Sequence, residues 1–250
     1  MERSEVLYIG EYFQEYTKYQ YFLTPSEMSR GVPIPNPEKP LPAAKSLIDL
    51  PDPATSFPDR TKNLFDIIAA RRSRRDYSDQ PITLQQLTIL LWSIQGVIDA
   101  GYGYSLRTVP SAGARHPLET YLTLNRVENQ APGLYRYLPF RHQLVQLRID
   151  RNVSEALATA CLGQEMVKRC AVCFIWTAVI ERSRWKYQQR AYRYIYLDAG
   201  HVCQNLYLAC EALGLGCCAV AAFDDDAVNK MLDVDGKEEF VIYLATVGNI

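Results

Sequence analysis

The chain has 250 residues and a formal net charge of −1, and 48% of its residues are hydrophobic. This length suits one large domain or two small ones, and the composition can supply a substantial core. A nearly neutral chain has no global field that favours nucleic acid or an anionic membrane as a partner. The first residues lack the apolar stretch of a signal peptide, so we expect a cytoplasmic protein with reduced cysteines.

Aromatic residues and prolines set the first part of the chain apart. Residues 8–22 carry many aromatic side chains and predict a short docked helix. Nine of the fourteen prolines lie between Pro25 and Pro58, a density that excludes regular helix and central sheet. We therefore expect residues 1–58 to form an aromatic and proline-rich arm, and residues 59–250 to form the folded domain.

Helices and strands follow one another irregularly after the arm. A capping box at Thr83–Gln86 begins one of the helices, and Asp224 caps another. Without a regular strand–helix–strand repeat, this order predicts the α+β class. The predicted helices are 64–71, 84–95, 153–161, 185–213 and 225–232, and the predicted strands are 118–124, 133–138, 142–148, 171–180, 217–222 and 240–247.

The segment from Trp185 to Gly214 is the most informative part of the sequence. It predicts one long helix, because no proline interrupts it and Gly214 can cap its end. An aromatic and partly polar stripe includes Tyr187, and Lys186 begins a basic stripe beside it that continues through Arg190. Periodicity alone leaves two interpretations open, a binding site and a solvated face beside ordinary core.

Two short motifs have structural explanations that compete with chemical ones. Gly214–Ala219 matches a dinucleotide fingerprint, but it follows a helix and enters a strand, whereas the fingerprint needs the reverse order. Cys170 and Cys173 have the spacing of a metal or redox pair, but they open an apolar strand and lack a second pair of ligands. The three histidines are scattered, and we expect no metal site.

Two segments could contact an anionic or flat ligand. Arg71-Arg72-Ser73-Arg74-Arg75 concentrates guanidinium groups, which suit phosphate; the alternative is a solvated basic helix end. Residues 110–117 form a loop of small residues between two prolines, through which backbone can approach a ligand closely; the alternative is an ordinary turn.

Taken together, these motifs resemble the nitroreductase superfamily, and more narrowly its SagB-type azoline dehydrogenases. The resemblance covers residue 60 to the C-terminus. It implies an α+β fold with a central, mostly antiparallel sheet flanked by helices, an intertwined homodimer, and FMN at the subunit interface. The motifs that carry it are Arg71-Arg72-Ser73-x-Arg75-x-Tyr77, Pro110-Ser111-Ala112-Gly113-Ala114-x-His116-Pro117, Lys186-Tyr187-x-x-Arg190-Ala191-Tyr192-Arg193 and Ala222-Phe223-Asp224-Asp225-Asp226.

The resemblance also assigns roles to individual residues. Lys186 and Tyr187 would act as base and proton relay in the oxidation of thiazoline or oxazoline rings. Independently of the resemblance, helical spacing places the charges of Arg190 and Arg182 near Lys186, where they would favour a neutral lysine. Relatives often have glycine at the position of Ala221 and a basic residue near the last strand, where this chain has Asn249. The residues assigned to FMN are Arg71, Arg72, Ser73, Arg75, Ser111, Ala112, Gly113, Arg190, Val220 and Ala221.

Three functions remain open from the sequence. The favoured one is an azoline dehydrogenase of a ribosomal peptide natural product, with the azoline-bearing peptide as substrate and a cyclodehydratase as a candidate partner. The second is an NAD(P)H-dependent nitro- or quinone reductase, which needs no base. The third is a flavin-bearing scaffold subunit of a biosynthetic complex.

Overall fold

The computed structural model describes residues 8–43, 45–58, 62–101 and 104–250. Helices and strands are mixed along the chain, as the α+β prediction requires. The helices are α1 (Ile9–Tyr16), α2 (Pro53–Ser56), α3 (Leu64–Ala70), α4 (Leu84–Gln95), α5 (Val153–Ala160), α6 (Glu165–Arg169), α7 (Glu181–Tyr187), α8 (Ala191–Ala212) and α9 (Asp225–Leu232). The strands are β1 (Leu47–Asp49), β2 (Val97–Gly101), β3 (Tyr104–Arg107), β4 (Leu118–Leu124), β5 (Gly133–Leu138), β6 (Gln143–Ile149), β7 (Val172–Val179), β8 (Leu215–Val220) and β9 (Glu239–Asn249).

A seven-stranded sheet organises the fold, with the strand order β1-β6-β5-β4-β7-β9-β8. Each neighbouring pair for which a register is defined is antiparallel, which confirms the predicted sheet type. The remaining strands, β2 and β3, form a separate antiparallel ribbon. Strand β7 lies in the interior of the sheet between β4 and β9 and is almost entirely buried, so its largely apolar sequence reflects helices on both faces.

Two apolar clusters cover the two faces of the sheet. Helices α4 and α8 pack on the first face, where Leu91 and Val202 lie in one cluster with Leu122 of β4. Helices α5 and α9 pack on the second face, where Leu157 lies in one cluster with Tyr121 of β4. Because side chains alternate along a strand, adjacent residues of β4 belong to different clusters. The long helix α8 and the short helix α9 therefore lie on opposite faces.

The predicted continuous helix from Trp185 is wrong in one respect, since it breaks after Tyr187. Gln188 has φ 50° and ψ −137°, and a 3₁₀ turn over Gln188–Arg190 separates α7 from α8. The Gln188 side-chain amide donates a hydrogen bond to the Thr24 carbonyl at 2.7 Å, which ties the break to the arm. Lys186 therefore does not continue the basic stripe of Arg190.

The proline-rich segment contains an unpredicted strand, β1, and a one-turn helix, α2, although its proline density predicted no regular helix. Proline is tolerated in the first turn of α2, where its missing N–H has no helical partner. Strand β1 pairs with β6 and forms one edge of the main sheet. An edge strand has a neighbouring strand on one side only, so its sequence need not show the regular hydrophobic pattern of an interior strand. Helix α1 covers only the first part of the segment 8–22 predicted as a docked aromatic helix, none of its residues is buried, and a 3₁₀ turn follows at Tyr19–Tyr21. Division into an arm of residues 1–58 and a domain of residues 59–250 stays a prediction.

The two ambiguous motifs have structural roles in the fold. Gly214 has φ 71° and joins the end of α8 to β8, which is the helix-to-strand turn predicted for it. The Cys170 and Cys173 side chains are fully buried beside β7, as expected for core thiols. Within the described part of the chain, no helix is long and apolar enough to cross a membrane.

One core histidine couples the fold to pH. His116 precedes β4, has φ 43°, and is only 5% exposed. Burial lowers the pKa of its imidazole to about 3, and the charge of Arg107 adds to this effect. An unfolded histidine titrates near pH 6.5, at about its ordinary pKa. Between these values the unfolded chain binds more protons, so His116 makes the fold less stable as pH falls from about 6.5 toward 3.

Replacing His116 should therefore flatten the dependence of stability on acid pH. Between pH 7 and pH 4, the free energy of unfolding should decrease by up to about 3 kcal/mol less in His116→Asn than in the parent chain. Asparagine tolerates the left-handed backbone at this position. Urea denaturation at the two pH values measures the effect, with His201→Asn on the exposed side of α8 as the control. An unchanged pH dependence in His116→Asn would contradict this assignment.

Candidate functional site

The basic segment after α3 lies against α8 and β8. The Ser73 hydroxyl is 2.9 Å from the Tyr207 hydroxyl, which also accepts a hydrogen bond from the Ala219 amide at 2.8 Å. The Arg71 guanidinium lies 5.4 Å from the centre of the Tyr207 ring. Tyr207, which the sequence did not single out, therefore joins the predicted Arg71–Arg75 cluster to the end of the sheet.

The arginines of this cluster differ in their partners. Arg74 pairs with Glu211 at 3.6 Å, and its backbone amide donates to the Cys217 carbonyl. The Arg72 guanidinium donates to nearby backbone carbonyls. Arg71, Arg72 and Arg75 have no carboxylate within 4.0 Å among the described residues. These three positive charges could therefore be shared with an anionic ligand.

A buried carboxylate fixes the small-residue loop. The Ser111 hydroxyl donates to Asp198 Oδ2 at 2.6 Å, and the Ala112 amide donates to Oδ1 at 3.1 Å. Ser111 Oγ in turn accepts from the amide of His116 at 2.9 Å. Burial raises the pKa of the Asp198 carboxyl, whereas the two hydrogen bonds favour its charged form. Asp198 thus ties the predicted loop to α8.

The tip of this loop lies against the predicted catalytic pair. Gly113 has φ 59°, and a Cβ added there would overlap the Tyr187 hydroxyl and lie 2.9 Å from Lys186 Nζ. A larger residue would therefore need both side chains to move. The Lys186 ammonium also lies 5.5 Å from the centre of the Tyr187 ring. The structure brings together three residues that the sequence assigned separately, the flavin-loop glycine and the two catalytic candidates.

Two further tyrosines extend this group. The Tyr187 and Tyr194 rings meet edge to face with centroids 4.8 Å apart, and the Tyr194 hydroxyl is 2.7 Å from that of Tyr19 in the arm. Burial raises the pKa of the Tyr187 phenol, and the neighbouring phenols act in the same direction. Tyr187 is therefore a hydroxyl donor near neutral pH, not a phenolate base.

The arm accepts hydrogen bonds from two basic residues of the predicted motif. Arg190 Nε donates to the Tyr194 hydroxyl at 2.8 Å, and Arg190 Nη1 donates to the Thr17 carbonyl at 2.5 Å. Its guanidinium also lies 4.2 Å from the centre of the Tyr19 ring. Arg193 donates to the Thr17 hydroxyl. The assignment of Arg190 to FMN stays a prediction, and its contacts in this structure are with the arm.

The predicted residues form two groups along α8. Val220 and Ala221 follow Ala219 at the end of β8, on the side of Tyr207 and the Arg71–Arg75 cluster. Gly113, Lys186 and Tyr187 lie near Tyr194, thirteen residues before Tyr207. At a rise of about 1.5 Å per residue, these contacts are about 20 Å apart along the helix. We call the residues around Tyr207 the arginine group and the residues around Tyr194 the lysine group.

Sequence reasoning missed the residues that hold these groups in place. Asp198 and Tyr194 lie on α8 and were interpreted only as part of a helical stripe. Tyr207, also on α8, was not singled out, and Thr17 and Tyr19 lie in the distant arm. A buried carboxylate in an otherwise apolar stripe is the signal that could have singled out Asp198, because such a group needs donors.

Comparison with known proteins places the chain in a family. Residues 68–249 match the Nitroreductase family. A protein of Methanocaldococcus jannaschii named "putative nitroreductase" is 37% identical over 185 residues, which cover 74% of this chain and 90% of that protein.

Two further similarities involve proteins named for peptide products. The trifolitoxin-processing protein TfxB of Rhizobium leguminosarum bv. trifolii is 32% identical over 133 residues, which cover 52% of this chain but only 36% of TfxB. A chain of the Escherichia coli microcin synthetase McbBCD complex, solved with truncated pro-MccB17 bound, shares the fold. Its TM-score is 0.61 at 20% identity, and the match covers 100% of this chain and 94% of that one. Because the family match extends from α3 through β9 and includes both groups of candidate residues, this chain belongs to the nitroreductase family.

Proposed function

We propose that this protein is an FMN-dependent dehydrogenase that oxidises thiazoline or oxazoline rings in a ribosomally made peptide. The observation that supports it best is the contact of Gly113 with both Lys186 and Tyr187, because azoline oxidation needs a base beside the site of hydride loss. The similarity to TfxB, a trifolitoxin-processing protein, supports a peptide substrate.

The arginine group fits the anionic end of FMN. Arg71 and Arg75 offer guanidinium donors that suit a phosphate, and the Ser73 hydroxyl lies beside them on Tyr207. Arg71 or another basic residue would have to supply the charge that relatives often place near the last strand. When bound, FMN would accept the hydride that the ring carbon loses. Arg71, Ser73 and Arg75 would meet the phosphate, the ribityl chain and the pyrimidine edge of FMN. A donor at the pyrimidine edge would stabilise the negative charge of the reduced flavin.

Lys186 and Tyr187 have distinct roles in this proposal. The neutral Lys186 amine would remove a proton from the ring carbon, while the protonated Tyr187 hydroxyl would donate to a ring heteroatom and orient the ring. A lysine amine acts as a base only in its neutral form. The Arg182 guanidinium pairs with Glu119 at 2.5 Å. Gly113 leaves room for these two side chains.

Changes at the catalytic pair should reduce azoline oxidation while leaving the fold and the cofactor in place. We expect Lys186→Ala and Tyr187→Phe each to lower turnover by about 10²- to 10⁴-fold, the range of general acid–base catalysis. The double variant should be little worse than the poorer single variant, because the two residues act together. The assay follows the two-dalton mass loss of an azoline-bearing peptide, and flavin absorbance reports cofactor content.

Matched variants separate chemistry from packing. Lys168→Ala, which removes an exposed lysine from the end of α6, should keep turnover near that of the parent. If Lys186→Ala and Tyr187→Phe also keep full turnover with full flavin, the dehydrogenase proposal fails. Unchanged assembly of a biosynthetic complex and unchanged product would then favour the scaffold function.

An NAD(P)H-dependent reductase is the second candidate, favoured by the 37% identity to the protein named as a nitroreductase. A reductase has no use for a base at Lys186. Steady-state consumption of NADPH with a nitroaromatic or quinone acceptor, unaffected by Lys186→Ala, would support this candidate instead of the first.

The cofactor proposal can be tested apart from the substrate. Arg71→Ala and Arg75→Ala each remove a charge-assisted hydrogen bond worth about 1.5–3 kcal/mol, so we expect FMN affinity to fall by about one to two decades. Fluorescence titration of the apoprotein measures this affinity. Arg151→Ala, an exposed residue before α5, serves as the control. Equal affinities in all these variants would identify the arginine cluster as a solvated helix end.

We propose that the arginine and lysine groups serve one FMN across the interface between two copies of the chain. The contacts of the two groups on α8 are about 20 Å apart. In our proposal the homodimer brings the lysine group of one copy to the arginine group of the other. Exposed apolar residues on α3, such as Phe65 at 80% exposure, offer surface for such an interface. A cyclodehydratase would deliver the azoline-bearing peptide as a further partner.

Mixed dimers distinguish sites shared between copies from sites within one copy. Arg75→Ala and Lys186→Ala chains are each impaired as homodimers. Co-expressed with different tags and purified as the mixed dimer, they should recover up to about half of the parent activity, because one of the two sites is then intact. No recovery in the mixed dimer, or a flavin-loaded monomer in light scattering, would refute the shared site.

A further inference from the structure

A separate cavity of about 470 Å³ opens on the second face of the sheet, opposite α8. Lys39, Pro40, Pro42 and Lys45 of the arm form one wall, and β4, β5, β6 and the end of α9 form the others. Four cationic side chains line it, Lys39, Lys45, Arg136 and Arg148, against one acidic residue, Asp233. Neither the arginine group nor the lysine group contributes to this cavity.

Arg136 is the unusual member of this lining. It lies on β5 and is only 2% exposed. Arg136 Nη2 donates to the Pro40 carbonyl at 2.8 Å, while Nε is buried and has no hydrogen-bond partner among the described residues. A buried guanidinium without a full set of acceptors is costly, so a ligand that supplies acceptors would stabilise it.

Neighbouring carboxylates are already engaged by other cations. Glu239 pairs with Lys39 and also accepts hydrogen bonds from the Tyr121 and Thr177 hydroxyls. Glu119 pairs with the buried Arg182. Glu38 interacts with Arg136 and Arg107 only at longer range, and burial raises the pKa of its carboxyl, which weakens it as a counter-ion. No carboxylate of the described residues lies within 4.0 Å of the Arg136 guanidinium.

The rest of the cavity wall is apolar. Leu134 lies two residues before Arg136 on the same face of β5, and Leu147 and Leu232 contribute further apolar surface. Lys45 and Arg148 lie at the wall with much of their side chains exposed. The cavity therefore combines a buried cation, an apolar interior and a basic rim, which is how sites for small amphiphilic ligands are built.

We propose that this cavity binds a small organic anion, whose carboxylate or phosphate head group pairs with Arg136 and whose apolar body packs against Leu134 and Leu147. Both head groups accept the paired hydrogen bonds that a guanidinium offers. The cavity size suits a ligand with a single ring or a short chain, because sites for small molecules begin at about 300 Å³. This site is independent of the proposed FMN site.

Calorimetric titration of the full-length protein tests the proposal with three probes of similar shape. We expect 3-phenylpropionate or phenyl phosphate to bind saturably with a Kd of about 1 mM or lower. The uncharged 3-phenylpropanol should bind at least tenfold more weakly, because it lacks one charged hydrogen bond. The difference between the two anions identifies the preferred head group. Absence of saturable binding for both anions would overturn the proposal.

Variants assign any binding to this cavity. Arg136→Met should weaken binding of the preferred anion by about 10- to 100-fold, whereas Arg141→Met, an exposed arginine between β5 and β6 outside the cavity, should leave it unchanged. If Arg136→Met does not fold, the charge reversal Lys45→Glu at the exposed rim should still weaken binding. Equal anion binding by the parent, Arg136→Met and Lys45→Glu would place the ligand elsewhere, for instance at the Arg71–Arg75 cluster, and would refute the site.

Discussion

The position of the candidate site depends on the hydrogen bonds between Asp198 and the loop that follows β3. One buried carboxylate accepts from the Ser111 hydroxyl and the Ala112 amide, so the loop cannot move without leaving a buried charge unsatisfied. The loop in turn holds Gly113 against Lys186. A single interaction on α8 thus determines the distance between two segments that are more than seventy residues apart in the chain.

Buried charges also attach the arm to the domain. Lys39 pairs with Glu239 of β9, and the Arg182 guanidinium, which pairs with Glu119, donates to the Asn36 carbonyl at 2.9 Å. Removing one partner of such a pair leaves the other charge buried and uncompensated, which costs more than the pair itself contributes. The arm is therefore a structural part of the sheet face, and it forms one wall of the cavity around Arg136.

The long helix α8 separates two groups of candidate residues. Its C-terminal half carries Tyr207, which contacts the Arg71–Arg75 cluster, and its N-terminal half carries Tyr194 beside Tyr187. A rigid helix keeps the two groups about 20 Å apart along its axis. The proposed anion cavity is on the opposite face of the sheet and can be occupied independently.

The sequence alone determined the class of the fold and most element positions, because periodicity, caps and turn residues are local. The β4 strand has the predicted bounds, and the Thr83 capping box begins α4 as expected. The family motifs also identified Gly113 and Lys186 as candidates. Only the tertiary structure decided what local patterns cannot encode: the break at Gln188, the edge strand β1, and the contact between Gly113 and Lys186. Each depends on a partner far along the chain, such as Thr24 for Gln188 or β6 for β1, and no local spacing specifies which distant residue will be that partner.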